Sequence, residues 1–137
     1  MESDSPAVPA GPPGWARALL VANEGLAFVL ELVAWGAIGY WGWSAPVAAP
    51  LNWLTGAAAL GAAVGVWSLF AAPRARVPLP TGGVLVVKAL VFGAAALGLL
   101  ATGHPLAAGV FAAAAAANTA YVTRARARWG TPGQPAA

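Results

Sequence analysis

Five residues carry most of the chemistry this chain can offer: Asn23, Glu24, Glu31, Lys88 and Asn118. Glu24 and Glu31 are seven apart, so on a helix they share one face. A line of carboxyls on one face is what a proton-coupled carrier would use to pass protons inward. The same groups would serve equally well to pair helices, through an ion pair or a hydrogen bond. Lys88 is the single lysine, and Asn23 and Asn118 are the amides available to join such a cluster. Beyond these the chain is poor in reactive groups. It has no cysteine, one histidine (His104) and one aspartate (Asp4). Thiolate chemistry, disulfides and cysteine metal sites are therefore excluded, and one histidine cannot build a metal centre. No GxGxxG, phosphate loop, HExxH or credible Ser/His/Asp set is present. No enzyme activity, metal or cofactor is expected.

The elements that must position these residues stand out in the composition. The 137 residues are 60% hydrophobic and 8% charged, against about 25% charged in an ordinary soluble domain. Four apolar stretches, residues 19–43, 50–72, 83–102 and 105–122, are each about long enough to cross a bilayer. They lack the period-two alternation of barrel strands and are too long for them, so helices are the expected solution to backbone hydrogen bonding in hydrocarbon. Pro46 and Pro50, then Pro73, Pro78 and Pro80, then Gly103 and Pro105 mark the breaks. Short connections make sequential helices antiparallel. The expected fold is all-α: a four-helix transmembrane bundle running up-down-up-down.

Arginines orient it. Arg17 precedes the first stretch, Arg74 and Arg76 follow the second, and Arg124, Arg126 and Arg128 follow the fourth, whereas the other two connections are uncharged. By the positive-inside rule both termini are expected to be cytoplasmic, in a multi-pass membrane protein. The net charge of +3 then belongs to orientation and to anionic headgroups rather than to nucleic acid. Residues 1–14 and 130–137, rich in Pro, Gly, Ala and Ser, are expected to be disordered, leaving 15–129 as the transmembrane domain. Glu2 and Asp4 stand where a secretory signal would carry basic residues. Trp15, Trp41, Trp43, Trp53 and Trp129 fall near span ends, where indole rings anchor. Trp35 and Trp67 lie deeper and are expected to pack. The fourth span, with Phe111 followed by six alanines, is the least hydrophobic and needs its neighbours to hold it. In the second span Ala57, Gly61 and Gly65 form a four-residue stripe that would let another helix approach closely.

Depth follows from the 1.5 Å rise of a helix. Counted from the span starts, Glu24, Lys88 and Asn118 all lie roughly 6–8 Å in, which makes Glu24 and Lys88 the expected ion pair. Glu31 lies roughly 18 Å in, near the middle of a ~30 Å core. A charge there costs on the order of 3 kcal/mol or more. Glu31 must therefore be protonated, paired across the bundle, or facing a wet cavity.

The segments NEGLAFVLELVAWGAIGYWGW, WSLFAAPRARVPLP and LVVKALVFGAAALGL resemble the YrdB family of small bacterial membrane proteins. The likeness covers roughly residues 15–121, and its most specific pieces are Asn23, Leu30-Glu31-Leu32, Gly39-Tyr40-Trp41-Gly42 and Ala72-Pro73-Arg74. That family usually carries an acid just before its VFG segment, where this chain has Lys88 in KALVFG. The resemblance implies a multi-pass protein of the bacterial inner (cell) membrane and draws attention to Glu31, and it supplies no activity.

Two functional readings follow. The first is a small proton-coupled carrier, or a subunit of one, centred on Glu31. Its layout is analogous to small multidrug-resistance antiporters, and so short a bundle would be expected to work as a homodimer. The second is a non-transporting assembly or regulatory partner of another membrane subunit, whose buried polar residues set helix packing.

Overall fold

The computed structural model describes residues 11–129. The expectations for residues 1–10 and 130–137 lie outside that range. Residues 11–13 have no regular structure, and four helices follow: α1 Gly14–Trp43, α2 Leu51–Phe70, α3 Thr81–Ala101 and α4 Pro105–Trp129. No strand occurs among the described residues. All four helices are long and apolar enough to cross a membrane, the alanine-rich fourth included.

Two ends differ from the spans read off hydropathy. Helix α1 begins at Gly14, directly after Pro13, rather than at Leu19. Helix α4 continues past Val122 to Trp129, so Arg124, Arg126 and Arg128 lie on the helix. Nothing obliges a helix to stop where hydrocarbon does. Alanine and arginine, which alternate through this stretch, are among the best helix formers.

The connection between α3 and α4 shows how little chain a reversal requires. Gly103 adopts φ 81°, a left-handed value that costs glycine nothing. His104 N–H then donates to Leu99 O at 2.8 Å and Gly103 N–H to Leu100 O at 3.1 Å, closing a Schellman motif. Thr102 Oγ1 also donates to Gly98 O at 2.9 Å, and Pro105 opens α4 two residues after the glycine.

Successive helices run antiparallel, so both chain ends of the described bundle lie at the end flanked by arginines. Helix α1 touches the other three. Its buried stripe, Leu30, Ala34, Ala37 and Ile38, meets Val91, Phe92 and Ala95 of α3 and Phe111 and Ala115 of α4. Phe92 and Phe111 meet edge to face at 5.8 Å between ring centres, a favoured aromatic geometry. Outward faces carry Phe28, Leu54, Leu90, Leu97 and Leu106, all well exposed. Apolar exposure of this extent marks a surface that meets something other than water.

Helices α1 and α2 come closest. A Cβ added at Gly42 would stand 2.7 Å from Thr55 O and 2.8 Å from Ala59 Cβ; one at Gly56 would stand 3.0 Å from Trp43 Cβ. Thr55 Oγ1 donates to Gly42 O at 2.6 Å across this contact. The stripe of Ala57, Gly61 and Gly65 does not perform this role among the described residues: no atom of another helix lies within 4 Å of a Cβ built at Gly61 or Gly65, and Ala57 is exposed. The short turn after Trp43 presents Gly56 to α1 and directs the stripe elsewhere. Trp35 and Trp67 do pack, ring centres 5.3 Å apart and nearly perpendicular. Trp15, Trp41, Trp43 and Trp53 are exposed near the helix ends.

Candidate functional site

Each of the five polar residues singled out from sequence is engaged by a partner on another helix, though not always the expected one. Glu31, 6% exposed, receives Lys88. Lys88 Nζ lies 3.2 Å from Glu31 Oε1, joining α1 to α3. Glu24 instead takes Arg126 of α4, with Nη2 to Oε1 at 2.9 Å. The expected Glu24–Lys88 pair is therefore incorrect by one heptad.

The reason is register. Helices α1 and α3 run parallel, and Lys88 meets Glu31 at an offset of 57 residues. A Cβ at Gly98 would touch Trp41 Cβ at 3.1 Å, which is the same offset ten residues further along. Counting both spans from their hydropathic starts implied an offset of 64. Because Glu24 and Glu31 share a face, the shift of seven residues, roughly 10 Å, kept the face and changed the level. Measured along α3, the Glu31–Lys88 pair lies seven residues beyond Thr81, roughly 10 Å from that end.

Nearer the arginine-flanked end, α1 and α4 are clasped twice. Asn118 is buried and its Nδ2 donates to Asn23 O at 2.9 Å, with Asn23 Oδ1 at 3.2 Å. Asn23 Nδ2 in turn donates to Leu19 O at 2.9 Å. The Glu24–Arg126 pair lies beside it. Side chains lean toward the N-terminus of their own helix, so on antiparallel helices Glu24 and Arg126 lean toward one another. Arg126 was read from sequence only as an orientation signal. The clue available was that α4 needs no break at Val122, which carries Arg124, Arg126 and Arg128 onto the helix near Glu24.

His104 is exposed at the opposite end. Its Nδ1 lies 3.3 Å from Thr102 Oγ1 and its ring meets Tyr40 edge-on. Among the described residues no group of three or more His, Cys, Asp or Glu converges to hold a metal.

Two recesses flank this framework. A groove of about 460 Å³ runs between α3 and α4, walled by Phe92, Gly93, Ala96, Ala112 and Ala116, with Lys88, Thr123 and Arg124 toward the arginine-flanked end. A wider one of about 730 Å³ lies at the other end among Tyr40, Ser44, Thr55, Ala58 and Thr102. Neither has acidic lining. The chemistry this arrangement offers is charge pairing, amide hydrogen bonding and the apolar reception of a ligand in a groove.

Fold and polar contacts together define a bundle of four membrane-length helices locked by interhelical charge and amide contacts. The chain belongs to the family described as Protein of unknown function (DUF2568), whose model matches residues 25–116. That segment holds the Glu31–Lys88 pair and the Gly42–Gly56 contact, and it ends before Asn118 and Arg126. No curated protein and no solved structure matches the chain.

Proposed function

We propose that this chain is a multi-pass protein of the bacterial cell membrane, with both termini cytoplasmic, that acts as a non-transporting assembly or regulatory partner of another membrane component. The observation that carries this reading is the engagement of both described acids, Glu24 and Glu31, by cations on neighbouring helices. A carboxyl meant to collect and release protons needs an open side. Glu31 is buried and its cation is supplied from within the bundle. Interhelical polar contacts in a membrane contribute roughly 0.6 kcal/mol on average and up to about 2, which suits them to fixing register. The arginines at one end support the orientation. The four helices long and apolar enough to cross a bilayer support the membrane setting.

The test is reconstitution into liposomes with an imposed pH gradient, following uptake of cationic solutes by wild type and Glu31→Gln. Equal, background-level uptake by both is expected, together with recovery of one consistent membrane partner from native membranes. Uptake that disappears in Glu31→Gln would remove this reading in favour of a proton-coupled carrier. One observation favours that second reading: Lys88 also lines the α3–α4 groove and its side chain keeps 21% exposure, so a solute there would border the ion pair.

A further inference from the structure

We infer that the α3–α4 groove is a binding site for one anionic phospholipid, with an acyl chain along its apolar wall and the headgroup phosphate at Arg124. The groove runs from Arg124 to Ala112 on α4, twelve residues or roughly 18 Å. That is close to one leaflet of a ~30 Å hydrocarbon core. The part of its wall formed by Phe92, Gly93, Ala96, Ala112 and Ala116 offers no hydrogen-bonding side chain, which suits a hydrocarbon tail, and Thr119 is the first hydroxyl on α4 toward the mouth. Its volume of about 460 Å³ falls within the ~300–1,000 Å³ typical of ligand pockets.

Polarity rises toward one end, where Thr119, Thr123 and Arg124 line the groove on α4 and Lys88 lines it from α3. Arg124 is exposed. Among the described residues the two carboxylates are already taken, Glu31 by Lys88 and Glu24 by Arg126. Arg124 therefore has no acid of its own to pair with there. Apolar wall below and guanidinium at the mouth match an acyl chain ending in a phosphate, and basic recesses between spans are known to favour such headgroups.

Charge also argues against a second copy of this chain as the occupant. A two-fold contact places the same surface on both sides. Here it would bring Arg124 toward its own copy with no acid on either groove to meet it, Lys88 being held by Glu31.

The experiment uses the full-length chain in neutral detergent, mixed with equal amounts of phosphatidylglycerol and phosphatidylcholine of identical acyl chains. Retained lipid is counted by native mass spectrometry. Phosphatidylglycerol is expected to be retained in preference, and Arg124→Gln should reduce that preference roughly fivefold. Arg124→Lys should keep it, and Arg76→Gln, which lies outside the groove, should leave it unchanged. Ala116→Trp should diminish retention of both lipids by filling the wall. Should that variant not fold, the Arg124 series decides the matter alone. Equal retention of the two lipids overturns the inference, as does an Arg124→Gln profile identical to wild type. Displacement by glycerol phosphate as effective as by the whole lipid overturns it too, since that would make the site a phosphate site. A dimer that dissociates in Ala116→Trp would assign the groove to a second copy. Lipid retention is independent of whether the chain transports, so these outcomes are separable from those of the flux measurement.

Discussion

The two ends of the bundle are held by different means. At the arginine-flanked end, α1 is tied to α3 and α4 by side chains with charge or amide groups: Glu31 to Lys88, Asn118 to Asn23, Glu24 to Arg126. At the opposite end the close contacts run through glycines, with Gly42 against the α2 backbone at Thr55 and Gly56, and Gly98 against the Trp41 side chain. Helix α2 has no share in the ion pairs. Its polar link to α1 is the Thr55 hydroxyl on the Gly42 carbonyl. Long polar side chains set the level at which helices meet and tolerate some slack in distance. Glycine contacts set the distance and tolerate none.

The sharpest way to break this division is to remove one charge of the buried pair. Lys88→Met leaves Glu31 enclosed without its cation, and a loss of about 3 kcal/mol is expected. Glu31→Gln should cost less, because a lysine stem can carry its ammonium toward the headgroups. The double variant should recover most of the loss. Unfolding in mixed detergent measures all three, and a double variant no better than Lys88→Met would show that the pair does not act as a unit.

Next in size is Gly42→Leu. The new side chain meets the Thr55 carbonyl and the α2 backbone rather than a flexible tip, and overpacking of this kind costs about 2 kcal/mol. Gly61→Leu is its control, since nothing lies near that position, and it should stay within about 0.5 kcal/mol of wild type. The same unfolding assay applies. Equal effects at the two glycines would refute the claim that close packing belongs to the Gly42–Gly56 contact.

Smaller still, Asn118→Ala removes the amide that bonds the Asn23 carbonyl and side chain, for about 1 kcal/mol. Amide exchange should accelerate selectively in the facing part of α1. The smallest effect is expected from Arg126→Gln. The Glu24–Arg126 pair is partly exposed, so it contributes under about 0.5 kcal/mol and less in high salt. A salt-independent loss larger than that of Asn118→Ala would invert the order proposed for this end.

Much of the bundle was legible in the residues themselves. Prolines and Gly103 punctuate four apolar runs, and short connections leave few ways to arrange them. The depth of Trp35 and Trp67 from the span ends pointed correctly to packing. What could not be read was the slide of one helix along another. Glu24 and Glu31 lie on the same face, so face arguments cannot choose between them as the partner of Lys88. The choice rests on the level difference between α1 and α3, which contacts such as Gly98 on Trp41 determine. The Ala57, Gly61 and Gly65 stripe misled for a related reason: small-residue spacing identifies a smooth face, and the turn before it decides which way that face looks. Arg126 went unrecognised because a run of arginines after an apolar span already has a sufficient explanation in orientation.

Lys88 is synthesised 57 residues after the acid it neutralises. During that interval the Glu31 carboxyl of α1 lacks its cation, which in hydrocarbon is costly. A first helix kept out of lipid until the third is made would meet its cation before facing hydrocarbon, leaving the α4 clasp at Asn118 and Arg126 to close the bundle last.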